Sequence, residues 1–331
     1  MGITFRGWSS LQVTITKVSV WIAACCLLTG SRAEPAPNVQ VVLGDVKDTR
    51  LSGKEAGKLE VQLKVSRSGM PADAKGCRIA LTKAIDDVGT DLLGPQARTT
   101  DFKFAAVNML FTLNLKNPDR KAGHIRELSG NVEVFVPNQD LVATLTIDWS
   151  RREAGNPIKS EVLKSAGVEL TAWTADQFNA FLKKKEAEDL KDSEAKEREY
   201  IRTLQARAAQ QPTPFDQQKA IANFKAAFAQ GREMNAFARR NTMALKPNDV
   251  VFSIKDPNVK LVGFEFRDSL NNTIKSTGTS EYYQQDGSKI ERERTYHFDA
   301  PVPATGKLLV LVATPQSLLK VPFTLGDISL P

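Results

Sequence analysis

A mainly β chain, built as two immunoglobulin-like antiparallel sandwiches with an inserted α-helical hairpin, is predicted by three observations. Apolar and polar residues alternate with period two in several short runs before residue 174 and after residue 247. Clusters of Gly, Pro, Asn and Asp separate those runs, with no helical pattern between neighbours. Residues 174–247 instead carry a helix-start signature, a highly charged middle and apolar positions at helical spacing. The predicted divisions are therefore residues 1–33, 34–173, 174–247 and 248–331.

The first division reads as a secretory signal peptide. Arg6 and Lys17 precede a mostly apolar run from Val18 to Leu28, and the small-x-small end Ser31, Arg32, Ala33 would leave Glu34 as the first mature residue. That run is too short to span a bilayer, and no second long apolar run follows. Ile22, Ala23, Ala24 and Cys25 offer a rival reading as a lipoprotein signal, although Cys26, Leu27 and Leu28 continue the apolar run past that cut. Either reading expects export, to the periplasm or outside the cell. Cleavage removes three bases and no acid from a chain of formal charge +7, which weakens any argument for a nucleic-acid partner. It also leaves Cys77 as the single cysteine. Cys77 alternates with Ile79 and Leu81, the pattern of a core thiol.

In residues 34–173, Leu59, Val61, Leu63 and Val65 alternate with polar residues, as a half-buried antiparallel strand requires. The pattern recurs at Val107–Leu115, at Val132, Val134 and Val136, and at Leu141–Trp149, with turns at Gly69–Pro71, Gly94–Pro95, Asn117–Pro118 and Pro137–Asn138. One loop carries candidate metal ligands. Asp86, Asp87 and Asp91 place three carboxylates in six residues around Gly89, the compact oxygen-rich arrangement that calcium takes. The spacing is not that of a twelve-residue calcium loop, and Asp-Gly turns also arise for backbone reasons alone. Both readings stand at this point, and calcium is the one cofactor the sequence offers.

Thr174 followed by Gln177 is a capping box that starts the helical division. Phe178, Phe181 and Leu182 give its first turns an apolar stripe. From Lys183 to Glu199, thirteen of seventeen residues are charged, with opposite charges four apart at Lys184/Glu188, Asp192/Lys196 and Glu194/Arg198. Nothing there can fill a core. Pro212 and Pro214 should end the first helix, and Ile221, Phe224 and Phe228 share one face of a second. The pair is expected to fold as an αα-hairpin, acting as a solvated spacer or as a coiled-coil docking arm, although no heptad repeat is sustained through its middle.

Past Pro247, Phe252 and Ile254, then Val262, Phe264 and Phe266, read as strands, and Asp286-Gly287 as a hairpin turn. Glu291, Arg292, Glu293 and Arg294 alternate in sign, the pattern of an exposed, charge-protected edge strand. Leu308–Ala313 is apolar on both faces and is expected to be central. Leu319, Val321, Phe323 and Leu325 are expected to finish the second sandwich. Residues 248–331 are few for a whole sandwich, and the alternative assignment gives it residues 167–173 as a first strand, which would make the helices an insertion.

The chemistry is sparse. Two histidines, His124 and His297, lie in separate β regions, and no His/Cys pair has metal-ligand spacing. No phosphate-binding glycine loop or Gly-x-Ser-x-Gly element occurs. The run Val321–Pro331 and the segment Asp86–Leu92 resemble those of secreted bacterial immunoglobulin-like β-sandwich proteins of unknown function. That resemblance implies export and the fold, and transfers no catalytic residue. A non-catalytic exported binding or scaffold protein with a protein or cell-envelope partner is the expectation. Its alternative is a carbohydrate-binding module that uses Trp173, Tyr282 and Tyr283 as stacking platforms.

Overall fold

The computed structural model describes residues 39–49, 57–94, 97–104, 107–208, 217–242, 245–286 and 289–331. The signal segment, Cys25, Pro212, Pro214 and Gly287 lie outside them. The chain is mainly β, and among the described residues all strand pairings are antiparallel.

Strands β1 (Val41–Thr49), β2 (Lys58–Ser66), β3 (Gly76–Asp86), β4 (Lys103–Phe104), β5 (Asn108–Leu115) and β6 (His124–Phe135) open the described chain. Strand β7 (Thr144–Asp148), helix α1 (Glu161–Ala166), β8 (Glu169–Thr174), α2 (Ala175–Ala208) and α3 (Gln217–Thr242) follow. Then come β9 (Val250–Lys255), β10 (Leu261–Arg267), β11 (Thr273–Ile274), β12 (Gly278–Asp286), β13 (Lys289–His297), β14 (Lys307–Val312) and β15 (Leu318–Ser329). Four sheets result, ordered β1-β2-β5, β15-β6-β3-β4, β11-β10-β14-β7 and β12-β13-β9-β8. Alternation does what it promised in β2 and β5. Leu59, Val61, Leu63, Val65, Met109, Phe111, Leu113 and Leu115 are all buried in one apolar cluster with Ile79, Leu128, Val132 and Val134 of the second sheet. A separate cluster joins the other two sheets, centred on Phe252, Phe264, Phe266, Tyr296, Leu308 and Val310.

Sheet membership does not follow the divisions expected from sequence. β7, expected with the first β region, pairs with β14 from Lys307↔Asp148 to Leu311↔Thr144. β15, expected to finish the second, pairs with β6 from Leu318↔Phe135 to Ser329↔His124. β8 follows the alternative assignment and belongs to the later sheets, pairing with β9 from Glu169↔Lys255 to Thr174↔Val250, so α2 and α3 lie between two adjacent strands of one sheet. Alternation reveals a strand and its buried face, but a run of alternating residues carries nothing that names a distant partner. β14 is central and buried on both faces, as its continuous apolar sequence requires. β13 departs from expectation, because it lies between β12 and β9 instead of at an edge. Its arginines turn inward and are neutralised there: Arg292 meets Asp101 at 2.9 Å and Arg294 meets Glu281 at 2.5 Å.

The chain thus crosses between the two sets of sheets after β6 and again before β15, and the crossings are tied together. Val136 N–H donates to Ser317 O at 2.8 Å, and Thr314 Oγ1 donates to Asp140 Oδ2 at 2.6 Å. Phe102, Phe135, Ala143, Val262, Leu311 and Ala313 form a small apolar cluster beside them. At its edge Arg78, only 5% exposed, donates from Nε to Glu133 Oε2 at 2.7 Å and from a terminal nitrogen to the Val259 carbonyl. Its guanidinium also stands 4.5 Å from the Phe102 ring centre. Val259 holds φ +51°, a left-handed conformation that crowds a β-branched residue. The Asp256 carboxylate fixes that turn by accepting from Lys260 N–H at 2.9 Å and Leu261 N–H at 2.7 Å.

Arg78→Ala leaves the buried Glu133 with only the exposed Lys320 amine, 3.7 Å from Oε1, as counter-charge and should cost about 3 kcal/mol, read as a lowered urea midpoint. Val259→Gly removes the left-handed crowding, leaves the carbonyl in place and should raise stability by about 1 kcal/mol in the same assay.

Candidate functional site

The acidic turn is held together by backbone hydrogen bonds. Asp86 is buried, and its Oδ1 accepts from Val88 N–H at 3.1 Å and Thr90 N–H at 2.7 Å, while Oδ2 accepts from Asp119 N–H at 3.0 Å. Burial pushes this carboxyl up, but the Asp119 and Thr90 N–H groups together outweigh it and hold the group below the usual range. Asp87 Oδ2 accepts from Gly123 N–H at 3.1 Å and lies 3.2 Å from His124 Nδ1. Asp91 Oδ1 accepts from Leu93 N–H at 2.9 Å. The three carboxylates are thus committed to three different stretches of backbone. Among the described residues no three side chains of His, Cys, Asp and Glu gather as metal ligands.

The candidate stacking residues are not brought together. Trp173, on β8, is 8% exposed and packs under the start of α2, with Phe178 at 5.9 Å and Phe181 at 4.8 Å between ring centres. Its indole N–H donates to Ser253 Oγ at 3.2 Å. Tyr282 and Tyr283 stand on β12, at the opposite edge of that sheet and on opposite faces of their strand. Tyr283 is 52% exposed and donates its hydroxyl proton to Glu281 Oε2 at 3.0 Å. Cys77 is buried 3.6 Å from Met109 Sδ, and burial pushes its thiol up to about 12, so it stays protonated and unreactive at neutral pH.

One concavity went unread in the sequence because it is assembled from distant segments. A cleft of about 730 Å³ lies where β4 approaches β10 to β13. Phe264, Phe266 and Tyr296 form its apolar floor, and Lys75, Lys103, Lys275, Glu265, Glu281 and Arg294 its charged lining. Phe104 is 42% exposed and lies directly over Gly263, where an added Cβ would stand 2.1 Å from the ring. Only glycine admits that approach. Lys75 and Glu265 close one end at 2.7 Å; burial raises Glu265, but Lys75 and Arg267 together hold it below the usual carboxylate range. No protein family, curated protein or solved structure matches the chain.

Both histidines meet acids. His124 has Asp87 Oδ2 at 3.2 Å from Nδ1 and Asp327 Oδ1 at 3.7 Å from Nε2. His297 has the buried Asp249 Oδ1 at 3.0 Å from Nδ1, and Ser280 Oγ at 3.3 Å from Nε2. The signal for that second group was present: the Asp286-Gly287 pattern predicts that the runs on either side pair, and the register of β12 with β13 brings residue 280 diagonally opposite residue 297.

Asp86→Asn should cost about 1–3 kcal/mol at neutral pH, since an amide cannot accept all three N–H bonds. Because the folded carboxyl lies below its unfolded value, that stabilisation is complete above about pH 4 and is lost as pH falls through the folded value. Denaturant midpoints of the two proteins should therefore converge in acid.

Proposed function

We propose that this is an exported binding or scaffold protein, active in the periplasm or outside the cell, in which α2 and α3 form a helical hairpin that acts as a spacer or docking arm. Its two β bodies are of immunoglobulin-like sandwich type. The observation that carries the reading is the direct pairing of β8 with β9 on either side of the helices. The sheet closes without them, so a long segment of chain is maintained that the β core does not need.

Its composition supports an outward role. Thr174 N–H donates to Gln177 Oε1 at 3.0 Å and Gln177 N–H donates to Thr174 Oγ1 at 3.4 Å, the reciprocal cap that starts α2. Only the first turns meet the β body, through Phe178, Phe181 and Leu182. Beyond them α2 is largely exposed, with ion pairs such as Lys184–Glu188 at 3.9 Å and Glu194–Arg198 at 4.0 Å. At 34 residues it extends about 51 Å. Tyr200 stacks on Phe224 of α3 at 4.1 Å, a contact between the two helices well away from the sheet.

The carbohydrate-binding alternative is favoured by a different observation, the exposed Phe104 and the hydroxyls of Thr273, Ser276 and Thr279 around the cleft. Trp173 no longer contributes to it.

Replacing residues 183–244 by a short Gly-Ser turn should leave a folded β protein whose thermal transition is close to that of the full chain. Capture of cell-envelope components should fall at least tenfold. Equal capture by both versions would show that the arm is no docking element.

A further inference from the structure

The outer face of the β12-β13-β9-β8 sheet carries a polar row that the core does not require. Tyr296 pairs with Val250, so the next residue, His297, stands beside Asp249. Gly278 pairs with His297, which places Ser280 two residues along the neighbouring strand and on the same face. Three side chains from three strand ends converge: Ser280 Oγ is 3.3 Å from His297 Nε2, and His297 Nδ1 is 3.0 Å from Asp249 Oδ1. Their exposure is graded, with Ser280 in solvent, His297 partly covered and Asp249 buried.

That order has chemical content. Asp249 Oδ2 accepts from Lys246 N–H at 2.8 Å, which fixes the carboxylate and leaves Oδ1 facing the imidazole. A carboxylate at Nδ1 favours the tautomer that carries its proton there, so the Nε2 lone pair faces the serine hydroxyl. The Nδ1–H is not in line with Oδ1, an alignment that catalytic groups commonly tighten only when substrate binds. His124 is the internal contrast. Both of its nitrogens face carboxylates.

We propose that Ser280, His297 and Asp249 form a nucleophilic site that hydrolyses activated esters bearing a short acyl group. This goes beyond the binding reading and runs against the expectation of a non-catalytic chain. Ser280 stands exposed on β12, and its hydroxyl shares with His297 the sheet face opposite Tyr296 and the floor of the cleft. Such a position suits a small acyl group whose leaving group departs readily. His297 Nε2 takes the hydroxyl proton as Ser280 Oγ forms a bond to the carbonyl carbon. The carbon–oxygen bond to the leaving group then breaks, and the departing alkoxide takes the proton from Nε2. Water attacks the acyl carbon and gives a proton to Nε2, which returns it to Oγ as the acyl bond breaks. The net change is ester plus water to carboxylic acid plus alcohol.

The test treats the full chain with a fluorophosphonate probe and maps the adduct by peptide mass spectrometry, alongside the release of p-nitrophenol from p-nitrophenyl acetate. The adduct is expected on Ser280 and absent from Ser280→Ala. Its rate of formation should fall at least about 100-fold in His297→Gln and be unchanged in His124→Gln. Absence of an adduct on Ser280 in the unaltered protein, or an equal rate in His297→Gln, would overturn the assignment. Neither result bears on capture by the helical arm, so the two readings fail separately. Because the decisive labelling uses the unaltered chain, a variant that does not fold cannot mask the answer.

Discussion

The architecture depends on a charge that would be intolerable if left alone. Arg78 and Glu133 face each other on β3 and β6, and both are almost fully covered. Taking two ions out of water costs several kcal/mol each, and only close geometry with further partners returns that energy. Here the guanidinium has three partners: the carboxylate, the Phe102 ring and the Val259 carbonyl. The last belongs to the opposite set of sheets. The pair can be buried only if the Asp256–Lys260 turn is docked against β3, and that turn keeps its left-handed valine to present the carbonyl. Packing, charge and backbone strain therefore meet at one point on the seam.

Two further ion pairs, Lys75–Glu265 and Asp101–Arg292, bridge the same seam, and the first of them lines the cleft. Its existence follows from the double crossing of the chain. β4 is carried alongside β10 because β6 leads directly into β7 on the other set of sheets, and β15 returns to pair with β6. A chain that had completed one body before starting the next would have been joined by a single linker, with no reason to hold Phe104 against Gly263. The concavity is thus a product of topology, and only secondarily of the residues that line it.

How much of this was legible in the sequence varies with the range of the interaction. Alternation located the strands and their buried faces, because the face a side chain takes is decided within a few residues. The capping box at Thr174 and the charge pairs of α2 were readable for the same reason. Partner choice was not. Leu141–Trp149 and Leu319–Leu325 look like natural continuations of the regions they adjoin, and nothing local marks them as exchanged. The sign alternation in β13 misled, because a buried arginine and an exposed one are the same letter, and the acids that neutralise Arg292 and Arg294 come from Asp101 and Glu281. Trp173 was likewise open to two readings until α2 was seen to cover it. At the Asp-rich turn the geometry shows the backbone bonds that the turn reading requires.

The helical insertion is physically cheap for the sheet and demanding for the helices. The β8/β9 ladder already holds residues 174 and 250 as neighbours, so the entropy of closing the loop between them grows only slowly with its length. Nearly any insertion could be accommodated there without disturbing the core. The helices receive little in return, since beyond Leu182 the β body gives α2 no apolar surface to rest on, and isolated helices are marginal in water. They must therefore be stabilised by what they carry themselves. The reciprocal cap, the ion pairs four residues apart and the Tyr200–Phe224–Phe228 stack are contributions of that kind, each small and additive along the length. Beyond Leu182 the segment supplies its own stability, and its sequence there is free to answer to something outside the fold.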